Sequence, residues 1–167
     1  MSIPEEQSAA ATTGRLGPLS ALVGTWAGSG HGVYPTIASF DYTEEITFTD
    51  PGTKPFLFYV QRTRAVDDGR PLHTEAGYLR WAAGAPEWVI AQPTGMAEVH
   101  MGTAAADGDD LLLTFVTVAV AATATAKCVD SVGRTLRICA DRLEYQLDMA
   151  AVGEAHQLHL RATLTRS

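Results

Sequence analysis

The amino-acid sequence predicts an all-β protein: a ten-stranded antiparallel β-barrel with one short N-terminal helix. From residue 40 onward, runs of about 8–12 residues rich in Thr, Val, Ile, Tyr and Phe alternate with turn clusters. No window of about 11–18 residues carries a convincing apolar stripe with the helical period. About ten strands must close or fold on themselves to protect their edges, so a closed barrel is the economical arrangement and a two-sheet sandwich the competing one. Side chains alone cannot fill so wide a barrel, which predicts a ligand cavity.

Length and charge limit the classes of protein. The chain has 167 residues, of which 46% are apolar, enough for one domain with a sizeable core. The first residues are small, polar and acidic, so we expect a disordered tail over residues 1–14 and one domain over residues 15–167. The net charge of −7 argues against a nucleic-acid partner, which needs a basic face to neutralise phosphates.

Neither a leader nor a membrane span is predicted. The chain begins without a basic region or an apolar region of the secretory type. Its most apolar stretch, Leu111–Ala126, has 16 residues without a charge, fewer than the roughly 20 a helix needs to cross a bilayer, and four of them are threonines. Cys128 and Cys139 form no CxxC pair and no zinc spacing. We therefore expect reduced thiols, a cytoplasmic location and no membrane partner.

The first elements are a short helix and a glycine-rich strand. Pro18–Val23 is the one helix candidate, of one or two turns. Gly28, Gly30 and Gly32 follow at every second position, and a dinucleotide loop or P-loop is rejected because Val33–Ile37 cannot open a helix. The alternative is a strand with its glycines on one face, where bulky groups crowd the backbone.

Turn residues divide the rest of the chain into strands. The clusters are Asp50–Lys54, Asp67–Arg70, Ala83–Pro86, Asp107–Asp110, Ser131–Gly133 and Ala140–Arg142. Phe56–Arg64 begins as a continuous apolar run and ends in alternation. Within Leu136–Met149, two alternating runs flank Ala140 and Asp141, which predicts a hairpin.

Two motifs in tandem resemble a known family. Residues 24–30 match the G-x-W-x-G-x-G signature of the nitrobindins, and Tyr34–Ile37 matches their second hallmark. Further matches are Phe40–Glu45, Phe56–Leu57, Pro71–Glu75, Gly77–Arg80, Thr94–Gly95, Met149–Gly153 and Gln157–Leu160. The chain is similar to the family over nearly all of Leu16–Arg166.

The resemblance implies a fold, a cofactor and an activity. The fold is a ten-stranded barrel shaped like the lipocalins and fatty-acid-binding proteins, with haem b at one end. A histidine of the last strand ligates a ferric iron, which reacts with nitric oxide and isomerises peroxynitrite to nitrate. Bacterial members are described as peroxynitrite isomerases. Members are often dimeric, so a homodimer is a further expectation.

The iron ligand implied by the resemblance is His159. Strand alternation alone does not favour His159 as the ligand. It puts His156 on the apolar, inward face with Leu158 and Leu160, and His159 on the other face with Gln157. Either a partly polar barrel mouth or a β-bulge near residue 157 would bring His159 inside. The motif favours His159, and His156 is the alternative.

Two further haem contacts are carried over from the family. Thr36 lies in a loop that Pro35 stiffens, and its alternative role is a plain turn. Lys127 is a lone cation after an uncharged run, and either pairs with a haem propionate or extends into water. Of the other histidines, we expect His31 in solvent, His73 in an ordering hydrogen bond and His100 at the surface.

The mechanistic hypothesis has peroxynitrite at the open sixth position of the iron, which acts as a Lewis acid. An apolar wall offers no proton donor there. The candidate wall residues are Phe40, Phe56, Leu57, Phe58 and Met149.

Two other functions compete. A carrier of fatty acid or another apolar ligand would anchor a carboxylate on arginines in the cavity; the candidates are Arg62, Arg64, Arg80 and Arg161. A cofactor-free hydrolase lacks support, because the sequence has no G-x-S-x-G elbow and no H-E-x-x-H motif. The adjacent Glu44 and Glu45 are expected on opposite sides of a strand.

Overall fold

The structure is a computed structural model that describes residues 14–167. The tail predicted over residues 1–14 therefore lies outside the described residues, apart from Gly14. A 3₁₀ helix, Gly17–Leu22, precedes ten strands. The strands are β1 (Gly24–Tyr34), β2 (Ile37–Thr49), β3 (Phe56–Ala65), β4 (Pro71–Ala82), β5 (Ala85–Gln92), β6 (Met96–Asp107), β7 (Asp110–Ala122), β8 (Val129–Cys139), β9 (Arg142–Ala151) and β10 (Gln157–Arg166).

The strands form one closed antiparallel barrel, which confirms the predicted architecture over the sandwich. Each strand pairs with its neighbours in sequence, and β1 closes the barrel against β10. Successive turns therefore alternate between the two ends. The turns after β2, β4, β6 and β8 lie at the end that carries the 3₁₀ helix, which we call the helix end. The turns after β1, β3, β5, β7 and β9 lie at the opposite end, which we call the far end.

The short helix predicted over Pro18–Val23 is confirmed as a 3₁₀ helix over Gly17–Leu22, and it packs against the helix end of the barrel. Leu19 and Leu22 are fully buried in the main core. Trp26 donates its indole N–H to the Leu22 carbonyl over 2.8 Å, and the Arg166 guanidinium lies 4.2 Å from the Trp26 ring centre. Within residues 14–167, no helix is long and apolar enough to cross a membrane.

Aromatic side chains fill the half of the barrel nearer the helix end. The Trp88 ring centre lies 4.7 Å from that of Tyr59, 5.1 Å from that of Phe115 and 6.2 Å from that of Phe48. All four side chains are buried. Because these rings pack closely, this part of the barrel has no room for a large ligand, and the predicted cavity does not extend through it.

The glycines of β1 make room for aromatic rings on β2. A methyl group at Gly30 would collide with the Tyr42 ring, and one at Gly32 with the Phe40 ring. At Gly28 it would collide with the backbone of β10. The predicted crowding of this strand face is confirmed, and Phe40 and Tyr42 are the crowding groups on β2.

Five of the six predicted turn clusters lie at turns between strands. The exception is Ser131–Gly133, which lies inside β8. That strand has a register shift between Val129 and Ser131, so the small and polar residues there mark an irregular strand start and not a chain reversal.

Candidate ligand site at the far end

A β-bulge in β10 determines the position of His159. Leu158 pairs with Asp148 and Leu160 pairs with Leu147, so His159 is the extra residue between two consecutive partners on β9. The bulge breaks the period-2 alternation that would have put His159 on the outer face. The predicted bulge near residue 157 is confirmed, two residues further along.

The neighbouring β1 strand holds the imidazole of His159. Its Nδ1 lies 3.0 Å from the Val33 carbonyl oxygen, and its ring packs edge-on against Tyr34 with centroids 5.3 Å apart. Tyr34 is itself fixed, because its hydroxyl accepts the Ala151 N–H over 2.8 Å and donates to the Met149 carbonyl over 3.2 Å. A carbonyl accepts only from a protonated Nδ1, so Nε2 keeps its lone pair.

Burial favours the neutral form of His159. Desolvation lowers the pKa of His159, the Val33 carbonyl opposes this, and the nearby charge of His73 on β4 lowers the pKa further. A neutral imidazole with a free Nε2 is the form that binds a metal.

His156 occupies a different environment. It is exposed, its Nδ1 lies 3.0 Å from the Ser131 hydroxyl, and its ring approaches Gly133. Ser131 and Gly133 alternate with the buried Val132 and Arg134, so they lie on the outer surface of β8. His156 therefore lies outside the barrel wall.

Thr36 and Lys127 lie at the same end as His159. Thr36 is exposed in the turn between β1 and β2, and Lys127 is exposed in the connection between β7 and β8. Both connections belong to the far end. The topology thus brings the three predicted haem contacts to one rim, and the roles of all three as haem contacts stay predictions.

Two concavities lie near these elements. A groove of about 300 Å³ borders the β1–β2 hairpin at the far end. It is lined by Val33, Tyr34, Pro35, Ile37, Ser39, Gln157 and Leu158. A larger concavity of about 600 Å³ is lined mainly by outward-facing polar residues of β1 and β8–β10, and His159 is not among them.

The barrel encloses a charged layer that the sequence analysis does not predict. Arg134 donates to both oxygens of Glu75, over 2.6 and 3.1 Å, and to Glu98 over 3.0 Å. All three side chains are buried. On β8 the sequence did carry a signal, because Arg134 shares its strand face with Val132, Leu136 and Ile138. On β6 the pattern is misleading, because Glu98 alternates with the apolar but exposed Val99 and Met101.

Two histidines extend this layer. His73 Nε2 lies 3.0 Å from Glu75, so its expected hydrogen bond is confirmed. His100 Nε2 lies 2.8 Å from Glu98 and the residue is fully buried, so the expected surface position of His100 is wrong. The reason is that Glu98 supplies a buried partner on the same strand face, which a polar residue requires inside a protein.

Glu44 is a neutral acid next to this layer. Burial raises the pKa of Glu44 to about 8, although hydrogen bonds from Tyr145 and Gln61 and the charge of Arg134 act in the opposite direction. Glu45 is exposed, so the prediction that the two adjacent carboxyls lie on opposite sides of β2 is confirmed.

The predicted wall residues divide into two groups. Leu57 lies in the main core, whereas Phe56 and Phe58 pack with Tyr78 on the outer side of the barrel, so Phe56 and Phe58 are wrong as residues of an interior wall. Phe40 and Met149 lie on the strand segments that lead to the far end. The error arose because the apolar run at the start of β3 alternates between the core and an exposed apolar surface.

The arginines proposed as carboxylate anchors are all exposed; they are Arg62, Arg64, Arg80 and Arg161. Arg134 is the buried arginine, and two carboxylates already neutralise it.

Comparisons with known proteins agree with this architecture. The family model of the THAP4-like, heme-binding beta-barrel domain matches residues 15–166. "Peroxynitrite isomerase 2" of Mycobacterium marinum is 49% identical over 152 residues, 90% of this chain and 94% of that protein. "Peroxynitrite isomerase" of Nocardia farcinica is 46% identical over 165 residues, 98% of each chain. The crystal structure of Rv2717c from M. tuberculosis superposes with a TM-score of 0.85 at 48% identity, covering 89% of this chain and 94% of that one.

Proposed function

Because the chain belongs to the family of THAP4-like, heme-binding beta-barrel domains, we propose that it binds haem b through His159 and isomerises peroxynitrite to nitrate. Relatives that bear the name peroxynitrite isomerase share 46–49% of its residues over at least nine-tenths of its length. Nitric oxide is the second small ligand of the proposed ferric iron. The cytoplasmic location expected from the sequence stays a prediction.

The observation that carries this proposal is the environment of His159. Its Nδ1 bonds to the Val33 carbonyl, and burial favours its neutral form. A haem iron already has four porphyrin ligands and needs one imidazole from the protein. The donor set at the far end therefore fits a haem, and His156, which lies outside the wall, fits less well.

Thr36 and Lys127 have supporting roles in the proposal. Both are exposed at the rim that carries His159. The propionates of a haem are anions that remain near water, and a lysine ammonium and a threonine hydroxyl are suitable partners for them.

The chain's own groups position and insulate the site. A bound haem would supply a Lewis-acidic iron that binds peroxynitrite and weakens its O–O bond. The Val33 carbonyl fixes the tautomer of His159, and Tyr34 fixes the orientation of its ring. Hydrogen bonds from Tyr34 to β9 hold β1 and β9 together around the bulge.

The carrier hypothesis has less support. A carboxylate ligand needs a free cation inside the cavity, and the four candidate arginines are exposed. Arg134 is buried but is committed to Glu75 and Glu98.

Hemin titration of three proteins tests the proposal. We expect a Soret band and nitrate formation from peroxynitrite with the wild type and with His156→Ala, and loss of both with His159→Ala. His156→Ala is the matched control because it removes an imidazole three residues away on the outer surface. Retention of full hemin affinity by His159→Ala, with its loss in His156→Ala, would reverse the ligand assignment.

A further inference from the structure

The inner face of the barrel is open near the far end. Phe40, His73 and Met149 take inward-facing positions on β2, β4 and β9, and all three are partly exposed. Inward-facing residues of the other half, such as Leu57 and Leu79, are fully buried. A side chain on an inner face reaches solvent only if open space lies beside it. The barrel therefore contains an open space at this end, which we call the far-end chamber.

His73 belongs to this chamber and lies on the opposite side of the barrel from His159. Three strands separate β4 from β10 in one direction around the closed barrel, and five in the other. Burial and the charge of His73 both lower the pKa of His159, so the two imidazoles lie within electrostatic range of each other. The chamber thus carries two imidazoles, of which the proposed function uses one.

The backbone of His73 is held at a β-bulge. Leu72 and His73 of β4 lie opposite the single residue Thr63 of β3. The Thr63 hydroxyl accepts the His73 N–H over 2.9 Å. His159 also lies at a bulge, that of β10. Bulges re-aim side chains next to active sites, so the fold treats the two histidines of the chamber alike.

Glu75 fixes the tautomer of the His73 ring. The Nε2 of His73 lies 3.0 Å from Glu75 Oε2. Burial raises the pKa of Glu75, but the charge of Arg134 and the hydrogen bonds from His73 and Arg134 outweigh this and lower it well below its usual value. An ionised carboxylate only accepts hydrogen bonds, so Nε2 carries the hydrogen and Nδ1 of the neutral ring keeps its lone pair. Within residues 14–167, His73 bonds to Glu75 and Thr63, which leaves Nδ1 without a partner.

This arrangement is that of a general base. An imidazole oriented by an ionised carboxylate accepts a proton at its other nitrogen, and the carboxylate stabilises the imidazolium that forms. Arg134 holds both oxygens of Glu75 in turn, over 2.6 and 3.1 Å. The series Arg134, Glu75, His73 therefore leaves one basic nitrogen free at the chamber.

The interior layer carries one uncompensated negative charge when its histidines, His73 and His100, are neutral. Glu75 and Glu98 are then two anions, and Arg134 is one cation. An anion that enters the chamber is repelled by this charge, whereas a neutral acid is not. A proton left on His73 would compensate the charge.

We propose that His73 is a general base of the far-end chamber, which takes the proton from a weak acid that enters as a neutral molecule. With peroxynitrous acid, the O–H bond breaks, its electron pair stays on the oxygen, and the proton forms an N–H bond at Nδ1. The anion is then free to bind the iron, and His73 returns the proton to water after the product leaves. The inference rests on the proposed function and replaces the wholly apolar wall that the sequence analysis expects.

Two ligands of the hemin-loaded protein separate proton removal from simple access. Hydrogen cyanide is neutral at pH 7 and must lose a proton to bind as cyanide, whereas nitric oxide has no proton to lose. We expect His73→Gln, which keeps a donor for Glu75 but takes up no proton, to slow cyanide association about tenfold or more in stopped-flow measurements. Its nitric oxide association should stay at the wild-type rate. His73→Leu is a second variant and should show the same selective loss.

His31→Gln is the matched control. His31 forms the same kind of pair with Asp41, with Nδ1 and Oδ1 2.6 Å apart, but at the outer surface. Its cyanide and nitric oxide rates should both equal those of the wild type. Circular dichroism and the Soret band check that each variant is folded and loaded.

The outcomes distinguish this inference from the proposed function. A wild type that takes up no hemin refutes both. A wild type that binds hemin, with the cyanide rate unchanged in His73→Gln and His73→Leu, refutes the general base alone. Equal slowing of cyanide and nitric oxide would also refute it, because His73 would then control access and not proton removal.

Discussion

Glu44 is a carboxyl group that the fold keeps protonated at neutral pH. Its pKa rises from the ordinary value of 4.5 to about 8, mainly through burial. Between these two values an unfolded chain has lost the proton while the folded chain retains it. The free energy of unfolding therefore falls as the pH rises from about 4.5 to about 8.

Replacement by an amide removes this dependence. We expect Glu44→Gln to gain stability over the wild type as the pH rises through that window, by a few kcal/mol at its upper end. Urea unfolding at several pH values measures the difference. Glu45→Gln is the control, because Glu45 is the exposed neighbour, and its curve should parallel the wild type. If the difference in the free energy of unfolding between Glu44→Gln and the wild type does not change with pH, Glu44 is ionised in the folded protein.

His159 shows how far residue-level reasoning extends. The family motif selected it, whereas strand alternation alone favoured His156. Alternation alone gives the wrong strand face for His159, because one extra residue in β10 shifts the side-chain pattern, and that residue is His159 itself. Its role as the iron ligand stays a prediction. A bulge depends on the register of two strands, so a single strand's pattern cannot reveal it.

Strand β1 depends on glycine because of its neighbour β2. A methyl group at Gly30 would overlap the Tyr42 ring, whose hydroxyl bonds with that of Tyr145 over 2.7 Å. We expect Gly30→Ala to lower the free energy of unfolding by about 1–3 kcal/mol, as overpacking does. Ser29→Ala, on the exposed side of the same strand, should change it little. Equal stabilities of the two variants in urea unfolding would mean that Tyr42 moves aside without cost.

The order of the elements could largely be predicted from the sequence. Turn residues such as Asp107–Asp110 and Ala140–Arg142 mark real reversals, because glycine and aspartate supply the backbone conformations that tight turns need. Ser131–Gly133 carries the same residue types and lies inside β8. Pairing with β9 keeps this segment in a strand. Such a contact between distant segments cannot be read from the residue types of the segment itself.

At the scale of the whole molecule, one arginine links three strands across the interior. Arg134 on β8 neutralises Glu75 on β4 and Glu98 on β6. We expect Arg134→Met to cost about 3–5 kcal/mol, because it leaves two buried carboxylates without a cation. Adding Glu75→Gln and Glu98→Gln to that variant should restore part of the loss. A triple variant no more stable than Arg134→Met in denaturant unfolding would mean that lost packing, not charge, is responsible.

The closed barrel was predictable and its polar interior was not. Ten short strands with few helices to cover them leave closure as the way to protect the edges. The charged layer depends on which strands face one another across the barrel, and β4, β6 and β8 are adjacent neither in sequence nor in the sheet. The rim that holds His159, Thr36 and Lys127 follows from the alternation of turns once the barrel is closed.

A crystal structure of the hemin-loaded protein would identify the iron ligand. We expect the iron to be bonded to Nε2 of His159, with Nδ1 still on the Val33 carbonyl and the propionates at the rim near Lys127. An iron bonded to His156 or His73, or a haem held away from the far end, would contradict it.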